Sequence, residues 1–136
     1  VDCPRALASV SAPSTWSPYR AAAASSHGVG LGFVLAEGDG IVCIDLDHCL
    51  DGGRLAPWAR RILERCPETF VEVSPSGTGL HIWGRGEVRQ GRRIRRADGA
   101  HIEVYGQGRY IAMSEQRYGD CPALLADLSE VVAELT

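Results

Sequence analysis

The stretch Ile41-Val42-Cys43-Ile44-Asp45-Leu46-Asp47 constrains this chain more than any other. A short aliphatic run of this kind reads as a buried strand, and its end carries two carboxylates one residue apart. Side chains alternate faces along a strand, so Asp45 and Asp47 point one way while Val42, Ile44 and Leu46 point the other. Two carboxylates side by side repel each other and resist leaving water, and a bound divalent cation is the usual relief. The plainer alternative is a strand end whose acids face solvent.

The remaining elements follow from pattern and punctuation. Ser14 or Thr15 can cap a helix running to about Ser25, with Trp16, Tyr19 and Ala23 on one side and Gly28 and Gly30 ending it. Residues 32–36 read as a strand joined through Glu37-Gly38-Asp39-Gly40 to the Asp-bearing strand, which predicts a β-hairpin. After a loop at 48–53, a helix runs from about Leu55 to Arg65, with Pro57 in its first turn and Pro67 beyond its end. Short strands at 70–73 and 80–83 flank the polar turn Ser74-Pro75-Ser76-Gly77-Thr78-Gly79, and strands at 101–105 and 109–113 flank a second turn. A last helix starting near Asp120 and Pro122 would carry the stripe Leu124, Leu125, Leu128, Val131, Val132 and Leu135. The sum is one α/β (α+β) domain over residues 1–136, with a largely antiparallel sheet and helices packed on it. The chain starts at Val1 rather than Met, as an excerpt of something longer would.

Composition narrows the chemistry. No apolar run approaches a membrane span and no secretory signal precedes the domain, so no membrane partner is expected. The five cysteines form no Cys-x-x-Cys pair, which disfavours a structural zinc and fits free thiols in a reducing cytoplasm. All fourteen basic residues are arginine. Six of them fall within residues 85–96 beside the single acid Glu87, a local +5 in a chain whose total is −3. So dense a segment predicts a localised anionic partner, and its glycines place it in a long loop or hairpin tip.

Three strands share one design. Asp45 and Asp47, then His81, then Glu103 stand on one face, and aliphatic residues stand on the other. Three carboxylates without a cysteine cluster predict Mg²⁺ or Mn²⁺. In a two-ion site the metals would lie roughly 3.5–4 Å apart, with Asp45 and Asp47 bridging them and Glu103 completing one. The turn at 74–79 suits an anion, because Gly77 and Gly79 let backbone N–H groups converge and Ser74 and Ser76 add hydroxyls. It lacks the Gly-Lys-Ser/Thr ending of a Walker loop. His81 could donate to the same phosphates or be a satisfied structural residue. Arg109 could contact phosphate or pair with a nearby acid.

In order and spacing, Ile44-Asp45-Leu46-Asp47-His48-Cys49, Ser74-Pro75-Ser76-Gly77-Thr78-Gly79-Leu80-His81 and Ile102-Glu103-Val104-Tyr105 resemble the three motifs of primase-polymerase domains. These belong to the archaeo-eukaryotic primase superfamily, and the likeness, over roughly Trp16 to Met113, is to the phage and plasmid replication type. The resemblance implies an RRM-like sheet with an N-terminal α/β module, making and extending primers from nucleoside triphosphates on single-stranded DNA. It implies metal ligation by Asp45, Asp47 and Glu103, and nucleotide-phosphate binding by Ser74, Ser76 and His81. It also implies a helicase, fused or separate, as partner, with Arg89, Arg92, Arg93, Arg95 and Arg96 on template or primer backbone. The rival reading of those arginines is a solvated, disordered loop. Rival readings of the whole are a metal-dependent nuclease and a catalytically silent nucleic-acid-binding accessory.

Overall fold

The computed structural model describes residues 9–25 and 30–136. In chain order its elements are a 3₁₀ turn (Pro13–Thr15), α1 (Tyr19–Ala24), β1 (Leu31–Leu35), β2 (Ile41–Leu46), β3 (Leu50–Asp51) and β4 (Arg54–Leu55). Then come α2 (Pro57–Arg65), β5 (Val71–Val73), β6 (Leu80–Arg85), β7 (Arg92–Arg95) and β8 (His101–Tyr105). The chain ends with β9 (Arg109–Met113), β10 (Ala126–Asp127) and α3 (Ser129–Leu135). The fold is mixed α and β with mostly antiparallel pairing, as expected. Among the described residues no helix is long and apolar enough to cross a membrane.

A six-stranded sheet runs in the order β10-β6-β2-β8-β7, with β5 pairing alongside the other half of β6. Its back face is the aliphatic side of the alternation: Val42, Ile44, Leu46, Leu80, Ile82, Ile102 and Val104 are buried. Trp58, Ala59 and Ile62 of α2 and Val131 and Val132 of α3 cover that face in one core. Pro57 opens α2, where its missing N–H lacks no intrahelical partner. At 25 cal/mol per Å² a fully buried Leu or Ile is worth about 1.5–3 kcal/mol, so this layer carries most of the fold's stability.

The front face is divided. At one end Cys43, Trp83 and Tyr105 form a second apolar cluster with Leu35 and Ile111, and Phe33 meets Trp83 edge-on at 5.5 Å. The other end is polar and carries the acids.

That division explains why the predicted hairpin of residues 32–46 does not form. β1 pairs antiparallel with β9, from Leu31 opposite Met113 to Leu35 opposite Arg109. The ribbon lies over the apolar half of the front, which would otherwise be exposed to water. Gly38 and Gly40, at φ 86° and 69°, turn the chain away from a continuous ladder.

Four other expectations are corrected. The helix from Ser14 to Ser25 is broken, because Pro18 cannot donate into it and restricts Ser17 before it. Helix begins only at Tyr19, and Thr15 instead ties the preceding turn with its hydroxyl on the Ala12 carbonyl at 2.7 Å. It ends at Ala24; the Gly28 stop lies outside the described residues. The arginine segment is not all loop, since residues 92–95 form edge strand β7 along β8. The last helix starts at Ser129, where the Asp127 carboxylate accepts the Ser129 N–H at 2.9 Å. Leu124 and Leu125 are exposed, because β10 is drawn out to pair parallel with the end of β6 that β5 leaves open. The loop at 48–53 also holds a small ladder, Leu50 opposite Leu55.

Candidate active site

One cross-strand row organises the polar half of the front. Register places Glu72 of β5 opposite His81 of β6, His81 opposite Asp45 of β2, Asp45 opposite Glu103 of β8, and Glu103 opposite Arg93 of β7. Directly opposed residues share a face with Cβ atoms about 4.5–5.5 Å apart, and opposed like charges are destabilising. Along this row acids alternate with His or Arg except at one step, Asp45 to Glu103. The two sequence-distant acids that the motifs singled out are therefore immediate neighbours. Asp47 stands just past the strand end, its N–H on the His101 carbonyl at 2.9 Å.

The electrostatics follow from that step. Burial pushes the Asp45 carboxyl up to about 6; Asp47 and Glu103 add to the rise, while His81 and Arg109 oppose it. His81 Nε2 lies 3.7 Å from Asp45 Oδ1. Glu103 is held from the other side, by Arg93 Nε at 3.3 Å and by Arg109 at 3.9 Å. Arg109 also stacks on Tyr105, 4.1 Å from the ring centroid. Of the two readings of Arg109, the ion pair is the one observed.

Among the described residues no three His, Cys, Asp or Glu side chains are gathered into a group that could hold a metal ion. The donor chemistry nonetheless suits a hard divalent cation. Asp45 and Glu103 are oxygen donors on adjacent strands, and burial, with the acids beside it, raises the Asp45 carboxyl, a cost that a cation would relieve. The arginines on Glu103 supply that relief here.

The turn between β5 and β6 lies beside the end of β2. A Cβ at Gly79 would stand 2.8 Å from the Leu46 carbonyl and 3.1 Å from Ser74 Oγ, and Gly77 has φ 80°; both positions demand glycine. The backbone N–H groups of Gly77 and Gly79 do not converge on open space as the sequence suggested. They close the turn itself, on the Ser74 carbonyl at 2.8 Å and Ser74 Oγ at 3.0 Å. What faces solvent is a chain of hydroxyls, Ser74 to Ser76 at 2.9 Å and Ser76 to Thr78 at 3.0 Å.

The arginines of 85–96 do not form one patch. Arg93 and Arg95 share the front face with Glu103 and His101, their partners in register. Arg92 has the opposite parity and reaches the Thr136 carbonyl at 3.4 Å. Arg89 pairs with Glu87 at 3.0 Å on the surface. Arg96 lines a back-side cleft of about 270 Å³ between α2, α3 and the β7–β8 turn.

Sequence reasoning missed Glu72. Its carboxylate is fully buried and bonded to His81, Trp83, Ser114 and Glu115. The signal was present in Phe70-Val71-Glu72-Val73, where Glu72 breaks an apolar strand on the face opposite Val71. Nothing in the sequence said which residue it would oppose.

Fold and site together define a small α+β domain whose sheet presents an acid-and-histidine row beside a hydroxyl-rich turn. The chain belongs to the family described as the BT4734-like, N-terminal domain, which matches residues 15–127. It is also similar to a DNA primase-polymerase of Nitratiruptor phage NrS-1, 40% identical over 89 residues. That alignment covers 62% of this chain and 12% of the phage protein, so the chain matches a small part of its relative.

Proposed function

We propose that this domain is a template-directed nucleotidyltransferase of the primase-polymerase kind. It would add nucleotides from nucleoside triphosphates to a 3′-hydroxyl along single-stranded DNA, with pyrophosphate leaving. The observation that carries the reading is the like-charge step between Asp45 and Glu103, with a histidine and a hydroxyl turn on one side and arginines on the other. The likeness to a phage DNA primase-polymerase supports it. On this reading the sheet is an RRM-like platform of the archaeo-eukaryotic primase type, serving a replicative helicase, fused or separate.

Asp45, Asp47 and Glu103 would hold Mg²⁺ or Mn²⁺, two ions in the full site, which neutralise phosphate charge and activate the attacking hydroxyl. The chain's own groups do the rest. His81 contacts the nucleotide and the hydroxyls of Ser74, Ser76 and Thr78 bind and orient its triphosphate, while Gly77 and Gly79 let their turn close against β2. Arg109 leaves Glu103 for phosphate when a nucleotide enters. Arg93 and Arg95 hold nucleic-acid backbone along the sheet edge, giving sequence-independent, salt-sensitive affinity. No covalent nucleophile is required, because positioning the hydroxyl against the phosphate supplies most of the rate.

Primer extension and de novo synthesis, with ribo- and deoxynucleotides and each ion, test the reading. Ion-dependent synthesis is expected, lost in Asp45→Ala and Glu103→Ala while both remain folded. Synthesis retained by both variants overturns it. Strand cleavage without nucleotides would mark a nuclease, and DNA binding with no synthesis a silent accessory.

A further inference from the structure

We infer that Glu72 is a positioning residue of this site, which sets the nitrogen that His81 turns toward the nucleotide and fixes one wall of the groove beside the hydroxyl turn. The inference rests on the nucleotidyltransferase reading for its kinetic consequence, but not for its structural one.

Glu72 is fully buried, and a carboxylate in that position persists only when donors surround it. Here they come from two separate segments. His81 Nδ1 lies 3.0 Å from Oε1, and Trp83 Nε1 donates to the same oxygen at 3.4 Å. Oε2 accepts the Ser114 N–H at 3.2 Å and the Glu115 N–H at 2.9 Å, with Ser114 Oγ at 3.5 Å. Burial would raise this carboxyl, but the His81, Glu115 and Trp83 bonds outweigh it and hold it below its ordinary value. An ionised carboxylate can only accept, so His81 must carry its hydrogen on Nδ1. Nε2 is then the nitrogen left to the front of the sheet, 3.7 Å from Asp45, and it faces the site as an acceptor, able to take a hydrogen bond from a nucleotide hydroxyl or a water but not to donate to phosphate.

The other oxygen controls backbone. Glu115 sits at φ 59°, a left-handed conformation that a non-glycine residue holds only under constraint, and its N–H is bound by Glu72. Ser114 and Glu115 line a groove of about 510 Å³ whose lining also includes Pro75 of the hydroxyl turn, Tyr110 and Met113. One carboxylate thus ties the histidine of the row to the wall of a groove that shares Pro75 with the hydroxyl turn.

Glu72→Gln separates this role from simple support. The amide has one acceptor oxygen, and the Ser114 and Glu115 N–H groups both demand it at the Oε2 position. The amide NH₂ must then face His81, which can accept only if its hydrogen moves to Nε2. Long-range ¹H–¹⁵N correlation at pH 8 should show His81 as the Nδ1–H tautomer in the unaltered domain and as Nε2–H in Glu72→Gln. With Nε2 turned from acceptor to donor, nucleotide KM should rise about 10–100-fold in the variant, by analogy with the loss of the partner that orients a metal-ligating histidine, with kcat changing less. An Nε2–H tautomer in the unaltered domain overturns the inference, and needs no variant to fold. So does a folded Glu72→Gln with an unchanged tautomer or an unchanged KM. If the unaltered domain shows Nδ1–H but makes no product, the nucleotidyltransferase reading fails and the orienting contact stands.

Discussion

Replacing Asp45 by Asn should stabilise the domain while removing its activity. Asp45 is 18% exposed, so little solvent screening intervenes, and its carboxyl is pushed from 3.8 up to about 6 by burial and its acidic neighbours. A folded-state value above the unfolded one means that the native state prefers the protonated form. Stability from this group is therefore complete below pH 3.8 and is lost as pH rises through about 6. Roughly two pKa units at 1.36 kcal/mol each give about 3 kcal/mol of destabilisation near pH 8. Asparagine has the shape of the protonated acid and never ionises. Urea unfolding without divalent ions should find Asp45→Asn more stable by up to about 3 kcal/mol at pH 8 and nearly equal at pH 4. Adding Mn²⁺ at pH 8 should stabilise only the unaltered domain, by about 2.7 kcal/mol at a hundredfold excess over Kd. A variant less stable than the parent at pH 8, or a difference independent of pH, would refute the charge argument.

Other perturbations probe other parts. Gly79→Ala forces a methyl to 2.8 Å from the Leu46 carbonyl, so it should lower stability by about 1–3 kcal/mol in urea unfolding and raise the nucleotide KM. Trp83→Ala removes the indole between Phe33, the apolar front and Glu72; a loss of about 3–5 kcal/mol is expected by the same assay. Arg95→Ala should weaken single-stranded DNA binding for every sequence alike and lower the salt slope by about 0.7, whereas Arg89→Ala, away from the row, should leave the slope unchanged.

The parts of the fold that were legible in the sequence are those decided by local pattern. Alternation in residues 41–47, 80–83 and 101–105 separated an aliphatic back from a polar front, and the back is the core that α2 and α3 cover. Pairing was not legible, because alternation specifies a face and never a partner. Residues 32–36 and 41–46 look like a hairpin by spacing alone. What moves β1 onto β9 is a tertiary demand, the apolar patch of Cys43, Trp83 and Tyr105. The same demand explains Leu124 and Leu125. They continue a helical stripe on paper, but β6 has an open edge that β10 satisfies first, and the two leucines are left outside.

The candidate site divides along the same line. Its acids and its histidine could be found because each interrupts an apolar strand on the same face, where an unpaired charge is hard to explain. Their neighbours could not, and the neighbours decide the chemistry. Shifting β8 by one residue against β2 would turn Glu103 to the back and leave Asp45 opposite an aliphatic side chain. The register instead sets Glu103 beside Asp45, His81 on the far side of Asp45, and Glu72 behind His81. Glu72 had no motif to announce it, since its partners lie about ten residues downstream at His81 and Trp83 and some forty downstream at Ser114 and Glu115. A residue that acts by holding another is visible only once the strands are paired. That is why the acids and the histidine of the row are written in the sequence, and the contacts that hold them are written in the register.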